Sequence, residues 1–150
     1  MEHIGMETTL YEQDFYLWTQ TTAELLKQQK FDAVDWGNLI EEIETLGRSE
    51  KRAVRSHLVI LLQHLLKWQF QSERRSRSWQ NSIDNDREEL SELLADNASL
   101  SGSFLLESLP ESYTKSRKKA SYETTIYLEN FPEECPYSLE EILHPEYLPE

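Results

Sequence analysis

Residues 35–70 read DWGNLIEEIETLGRSEKRAVRSHLVILLQHLLKWQF, and their hydrophobic spacing decides the fold. With Trp36 at zero and about 100° per residue, Ile40, Ile43, Gly47, Val54, Leu58, Leu61, Leu65 and Trp68 fall within roughly 40° of one line. A stripe that coherent over so many turns predicts one long amphipathic helix, with the rest of the chain covering it. Asp35 is placed to cap its start. Gly47 could end one helix and Ser49 could cap the next, so a break there and continuity with a kink both stay open.

Upstream, Phe15, Trp18, Thr22, Leu25 and Leu26 recur at helical spacing and predict a first helix over about residues 11–29. The short connection to Asp35 makes the two helices antiparallel neighbours. Downstream, QFQSERRSRS at 69–78 interrupts the pattern as a basic loop. A third helix is expected over 79–96, with Trp79, Ile83, Leu90, Leu93 and Leu94 inward. After a turn at Asn97, a short helix over 101–109 should stop before Pro110, and another should run over 111–128. The last twenty residues hold four of the five prolines, and Ser138-x-x-Glu141 is a capping-box pattern for a turn of helix from Leu139 to Leu143. The fold class is all-α: a helical bundle around one long central helix, with a Pro-rich C-terminal tail. The expected organisation is a flexible N-terminus over 1–9, a helical domain over 10–130 and a tail over 131–150 packed on that domain.

Charge is unevenly distributed within a net −13. Residues 1–47 hold ten acids and two bases, a net −8; residues 48–87 hold four acids and nine bases, a net +5; residues 88–150 are again acidic at −10. The basic middle either answers the acidic ends internally or presents a face to an anionic partner. Overall acidity opposes general nucleic-acid binding, because repulsion offsets counterion release. The single Cys135 cannot form an internal disulfide or a cysteine-rich metal site. Four glycines leave no phosphate-cradling loop. The start of the chain has neither the basic nor the apolar region of a secretory signal, and the longest apolar run is broken by Gln63 and His64. A cytoplasmic location is expected.

Glu50, His57 and His64 lie along one edge of the stripe, seven residues apart. At 1.5 Å per residue, neighbours in that row are about 10 Å apart, so they cannot share a metal from this helix alone. No metal site is expected. Glu41, Glu42 and Glu44 sit beside the stripe, where a carboxylate needs a partner. Arg87 and Arg117, at core-facing phases of later helices, are the expected ion-pair partners; the functional alternative is a polar pocket with paired carboxylates as acid and base. Arg74, Arg75 and Arg77, interleaved with Trp68, Phe70 and Trp79, are candidates for gripping an anion or a partner.

Taken together, Tyr11-x-x-Asp14-Phe15-x-x-Trp18, Asn38-Leu39-x-Glu41-Glu42-Ile43-Glu44-x-Leu46-Gly47, His64-Leu65-Leu66-Lys67 and Ser78-Trp79 form a pattern. With Asn97-Ala98-Ser99-Leu100 and Phe131-Pro132-x-x-Cys135-Pro136-Tyr137, it resembles domain of unknown function family 29, an uncharacterised bacterial family abundant in cyanobacteria. The likeness covers about residues 10–145. It departs at Ala98, where the family favours proline. The resemblance implies a nearly all-helical domain and transfers no catalytic residue. It directs attention to Glu41, Glu42, Glu44, His64, Lys67 and Trp79 as the place for a site.

The leading expectation is a non-enzymatic protein-interaction or regulatory module, with no cofactor, whose partner is another protein or a second copy of the chain. One alternative is a metal-assisted hydrolase or nuclease with a pocket at Glu42 and His64. Another is a nucleic-acid or toxin-linked regulator using residues 74–77. No membrane association is expected.

Overall fold

A computed structural model of the chain describes residues 8–150. Among these residues there are six α-helices and no strand. Helices α1 (Leu10–Gln13) and α2 (Phe15–Lys27) lead into the long α3 (Trp36–Phe70). Helices α4 (Arg77–Asp96), α5 (Ser103–Thr124) and α6 (Leu139–Leu143) follow. The all-α class and the long helix are as the periodicity requires. Helix α3 is unbroken at Gly47, which costs a helix interior only about 1 kcal/mol relative to alanine. Packing does not demand the glycine, since a Cβ there would meet nothing within 4 Å. The chain divides into two compact units, Met1–Gly47 and Arg48–Glu150.

In the first unit, the flexible start expected over 1–9 falls mostly on residues 1–7, outside the described residues. Thr9 is ordered as the N-cap of α1, with a reciprocal capping box to Glu12. The one helix expected over 11–29 is two. Asp14 is extended (φ −152°), which ends α1, and its carboxylate then accepts from the Leu17 amide to cap α2. Beyond α2, Gln29 turns left-handed (φ 60°) and Lys30 N–H returns to the Leu25 carbonyl. Trp18 is buried with its ring edge-on to Tyr11 at 4.9 Å.

The apolar row of α3 meets a different fate here. Trp36, Ile40, Ile43 and Leu46 stay exposed, at 45, 53, 58 and 66%. The expectation that the rest of the chain covers the whole stripe is corrected on this point. Burial begins at Val54.

The second unit carries the core. Val54, Leu58, Leu61, Leu62, Leu65 and Leu66 of α3 meet Ile83 and Leu90 of α4, Leu105, Tyr113 and Ala120 of α5, and Phe131, Tyr137 and Ile142 of the C-terminal segment. Ser76 caps α4 by accepting from the Trp79 amide at 3.1 Å, so this helix starts two residues earlier than expected. The expected stop before Pro110 is also corrected: α5 is continuous through it. Proline removes one helical hydrogen bond, but Leu105 before it and Tyr113 and Ala120 after it bury one face of the same helix, and packing outweighs the local preference. Helix α6 has the capping box read from its sequence.

Buried polar groups anchor the C-terminal segment. Arg87 donates from Nε to the Ile142 carbonyl at 2.8 Å and from Nη2 to that of Glu141 at 3.3 Å. Arg117 Nη2 donates to the Phe131 carbonyl at 3.0 Å, and the Tyr113 hydroxyl to that of Pro132 at 2.6 Å. The Tyr137 hydroxyl donates to Gln69 Oε1 at 2.7 Å. Arg87 and Arg117, expected as ion-pair partners of Glu41, Glu42 or Glu44, instead direct these donors to main-chain carbonyls of the C-terminal segment. A carbonyl serves because a guanidinium needs acceptors when buried, not specifically carboxylates.

Candidate functional site

The polar edge of α3 is matched position by position. Glu50 accepts from Asn97 Nδ2 at 3.1 Å. His57 Nδ1 lies 3.4 Å from Glu89 Oε2, within ion-pair range but not aligned as a hydrogen bond. His64 Nδ1 is 2.6 Å from Asp86 Oδ2. The two histidines thus face carboxylates of α4, and an antiparallel α3–α4 pair brings the later residue of one helix to the earlier residue of the other. A histidine held this way donates from Nδ1 to the carboxylate and leaves Nε2 as an acceptor, the arrangement that orients a general base.

One helical turn on, Lys67 Nζ donates to Glu123 Oε1 at 3.1 Å and lies 5.1 Å from the centre of the Trp79 ring. Gln63 Nε2 donates to the same oxygen at 2.7 Å. Burial pushes the Glu123 carboxyl up, but Lys67, by hydrogen bond and charge, and Gln63 outweigh it and hold the group below its ordinary value. His64, Lys67 and Trp79 of the family-like pattern are thus brought together, with Asp86 and Glu123 as partners that the sequence did not single out.

Glu41, Glu42 and Glu44 belong to the first unit. Glu42 accepts a hydrogen bond from the Tyr11 hydroxyl, and Glu41 and Glu44 are exposed. That hydrogen bond, then burial and the charges of Glu42, Glu41 and Asp35, push the Tyr11 phenol up to about 12. Tyr11 is the partner the sequence left unassigned; the family-like spacing placed it in a motif without saying what it touches.

The three arginines of the basic loop separate. Arg75 is engaged: Nε donates to the Trp68 carbonyl at 2.8 Å, Nη2 to that of Glu150 at 2.9 Å, and the guanidinium lies 5.0 Å from the centre of the Trp68 ring. Arg74 and Arg77 are exposed. Among the described residues, no three of His, Cys, Asp and Glu converge as metal ligands. Burial pushes the Cys135 thiol up, which disfavours the thiolate.

A groove of about 520 Å³ opens between α3 and α5. Arg52 and Arg55 line one wall, Lys115 and Lys119 the other, with Ile60, 36% exposed, as its apolar surface and Val59 buried beneath. Glu111 is the one acid in its lining and pairs with Lys115 at 3.4 Å. Arg55 is steadied over the Phe104 ring at 5.6 Å. Sequence reasoning missed this site. Its trace is the i, i+3 and i, i+4 spacing of the four bases, but nothing in the sequence says that the two basic faces oppose each other.

The family profile described as Domain of unknown function DUF29 matches residues 10–148, and the chain belongs to that family. No curated protein and no solved structure matches it. No helix among the described residues is long and apolar enough to cross a membrane.

Proposed function

We propose that the protein is a cytoplasmic, non-catalytic helical module that acts by binding another protein. The observation that carries this reading is the uncovered row Trp36, Ile40, Ile43 and Leu46. Four large apolar side chains on adjoining turns of one helix are left in water, and a contiguous apolar patch rimmed by carboxylates marks an interaction surface. The test is site-specific photocrosslinking in cells. A crosslinker at position 43 is expected to give a discrete protein adduct, while one at Tyr122, 90% exposed on α5, gives none. Equal labelling from both positions, or none from 43, overturns the reading.

A second reading, hydrolytic chemistry, draws support from the 2.6 Å contact of His64 with Asp86. It keeps His64 as base but relies on Asp86, not Glu42, as the orienting carboxylate. Hydrolysis of generic ester or phosphodiester substrates that disappears in His64→Gln would establish it, and unchanged background rates would remove it. The regulator reading built on residues 74–77 has less support, since Arg75 is already engaged within its own unit.

A further inference from the structure

Two surfaces of this chain are chemically complementary. The exposed row Trp36, Ile40 and Ile43 is flanked by the exposed carboxylates of Asp35, Glu41 and Glu44. The groove between α3 and α5 presents Arg52, Arg55, Lys115 and Lys119 around the exposed Ile60, over a buried Val59, with a single acid, Glu111, among its lining residues. One surface is an apolar row with an acidic rim, and the other sets a basic rim around the exposed Ile60. Their lengths agree: residues 36–43 rise about 10 Å along a helix and residues 52–60 about 12 Å.

We infer that the basic α3–α5 groove receives the acidic, apolar row of residues 35–44 from a second copy of this chain, and that the exchange is reciprocal. This rests on the interaction reading above and names its partner. In a reciprocal exchange a two-fold axis makes both contacts at once, so the assembly closes as a dimer. The contact places apolar surface at its centre and opposite charges at its rim, the usual anatomy of a specific interface. It also accounts for the charge segregation: residues 1–47 at −8 oppose residues 48–87 at +5 of the other copy, which steers encounter and fixes register. A nucleic acid fits the groove less well, because it offers nothing to the apolar surface and meets a chain of net −13.

The test uses the full chain in sedimentation equilibrium and two double variants on exposed or half-exposed side chains. Glu41→Arg with Glu44→Arg makes the row basic, and Arg52→Glu with Arg55→Glu makes the groove acidic. The wild type is expected to dimerise, more weakly as salt rises. Each variant alone sets like charge against like charge at both contacts, and its dissociation constant should rise roughly tenfold or more. Mixed together, the two variants restore opposite charge at both contacts, and the heterodimer should return to within about threefold of the wild-type affinity. Circular dichroism confirms that each variant is folded. As a third variant, Ile43→Ser weakens the dimer without altering charge.

A wild type that stays monomeric, variants that still dimerise, or a mixture that stays monomeric each overturns the inference. The interaction reading survives a monomeric wild type when position 43 still crosslinks to a different protein. It falls with the inference when position 43 crosslinks to nothing.

Discussion

Arg87 Nε donates to the carbonyl oxygen of Ile142 at 2.8 Å, across 55 residues of sequence. Arg87 is 3% exposed and burial pushes its pKa down, yet its guanidinium sits where α6 ends and the carbonyls there need donors. With Nη2 on the Glu141 carbonyl at 3.3 Å, it ties α4 to the C-terminal segment.

Arg87→Ala leaves the Ile142 and Glu141 carbonyls without that donor and a void beneath α6. Loss of a charged hydrogen bond predicts about 2–3 kcal/mol of destabilisation. Urea unfolding measures it, and limited proteolysis should cut between α5 and α6 sooner than in the wild type.

Leu61 and Ile43 occupy the same phase of α3, one fully buried and the other exposed. Leu61→Ala should cost about 2–5 kcal/mol at any protein concentration. Ile43→Ala should change the stability of the isolated chain by no more than about 0.5 kcal/mol, any larger effect growing with concentration as assembly stabilises the fold. Thermal unfolding at several concentrations separates the two.

Pro110 interrupts the hydrogen bonding of α5 while leaving it helical. Pro110→Ala restores an N–H donor and removes a ring clash, so it should stabilise by about 1–3 kcal/mol. A lower midpoint in denaturant would show that the ring contributes packing that outweighs both.

Glu123 is held below its ordinary value of 4.5 by Lys67 and Gln63. A depressed carboxylate contributes stability above its unfolded pKa and loses it as pH falls through the folded pKa. Lys67→Met should therefore shrink the stability difference between neutral pH and pH below 4.5. Glu123 is half exposed and solvent screens the pair, so the change should stay under about 1 kcal/mol.

Tyr11 is pushed up to about 12 chiefly by its hydrogen bond to Glu42. In Glu42→Gln the acceptor charge is gone, and the phenol should ionise nearer its ordinary value of 10.0. Tyrosine-selective NMR titration reads this directly; an unchanged curve would place the cause elsewhere.

Much of the helical layout was legible, because a helix announces itself through a period. The stripe from Val54 to Leu65 and the capping box at Ser138 are local, and both fold as read. The departures have local reasons too: an aspartate that ends one helix and caps the next at Asp14, and a proline overruled by packing at Pro110. The candidate site was legible only as a set of residue types. His64 and Lys67 could be singled out, but Asp86, Glu123 and Tyr11, which they and Glu42 meet, lie 22, 56 and 31 residues away in sequence.

By itself the sequence determined the all-α class, the long amphipathic helix, the segregation of charge and the spacing that keeps Glu50, His57 and His64 from acting as one metal site. These follow from periodicity and composition, which are properties of neighbouring residues. Only the tertiary structure decided which length of the α3 stripe is buried, that Arg87 and Arg117 anchor the C-terminal segment, and that Arg52 and Arg55 oppose Lys115 and Lys119 across a groove. Those outcomes depend on which helix faces meet, and a period fixes a face without naming its partner.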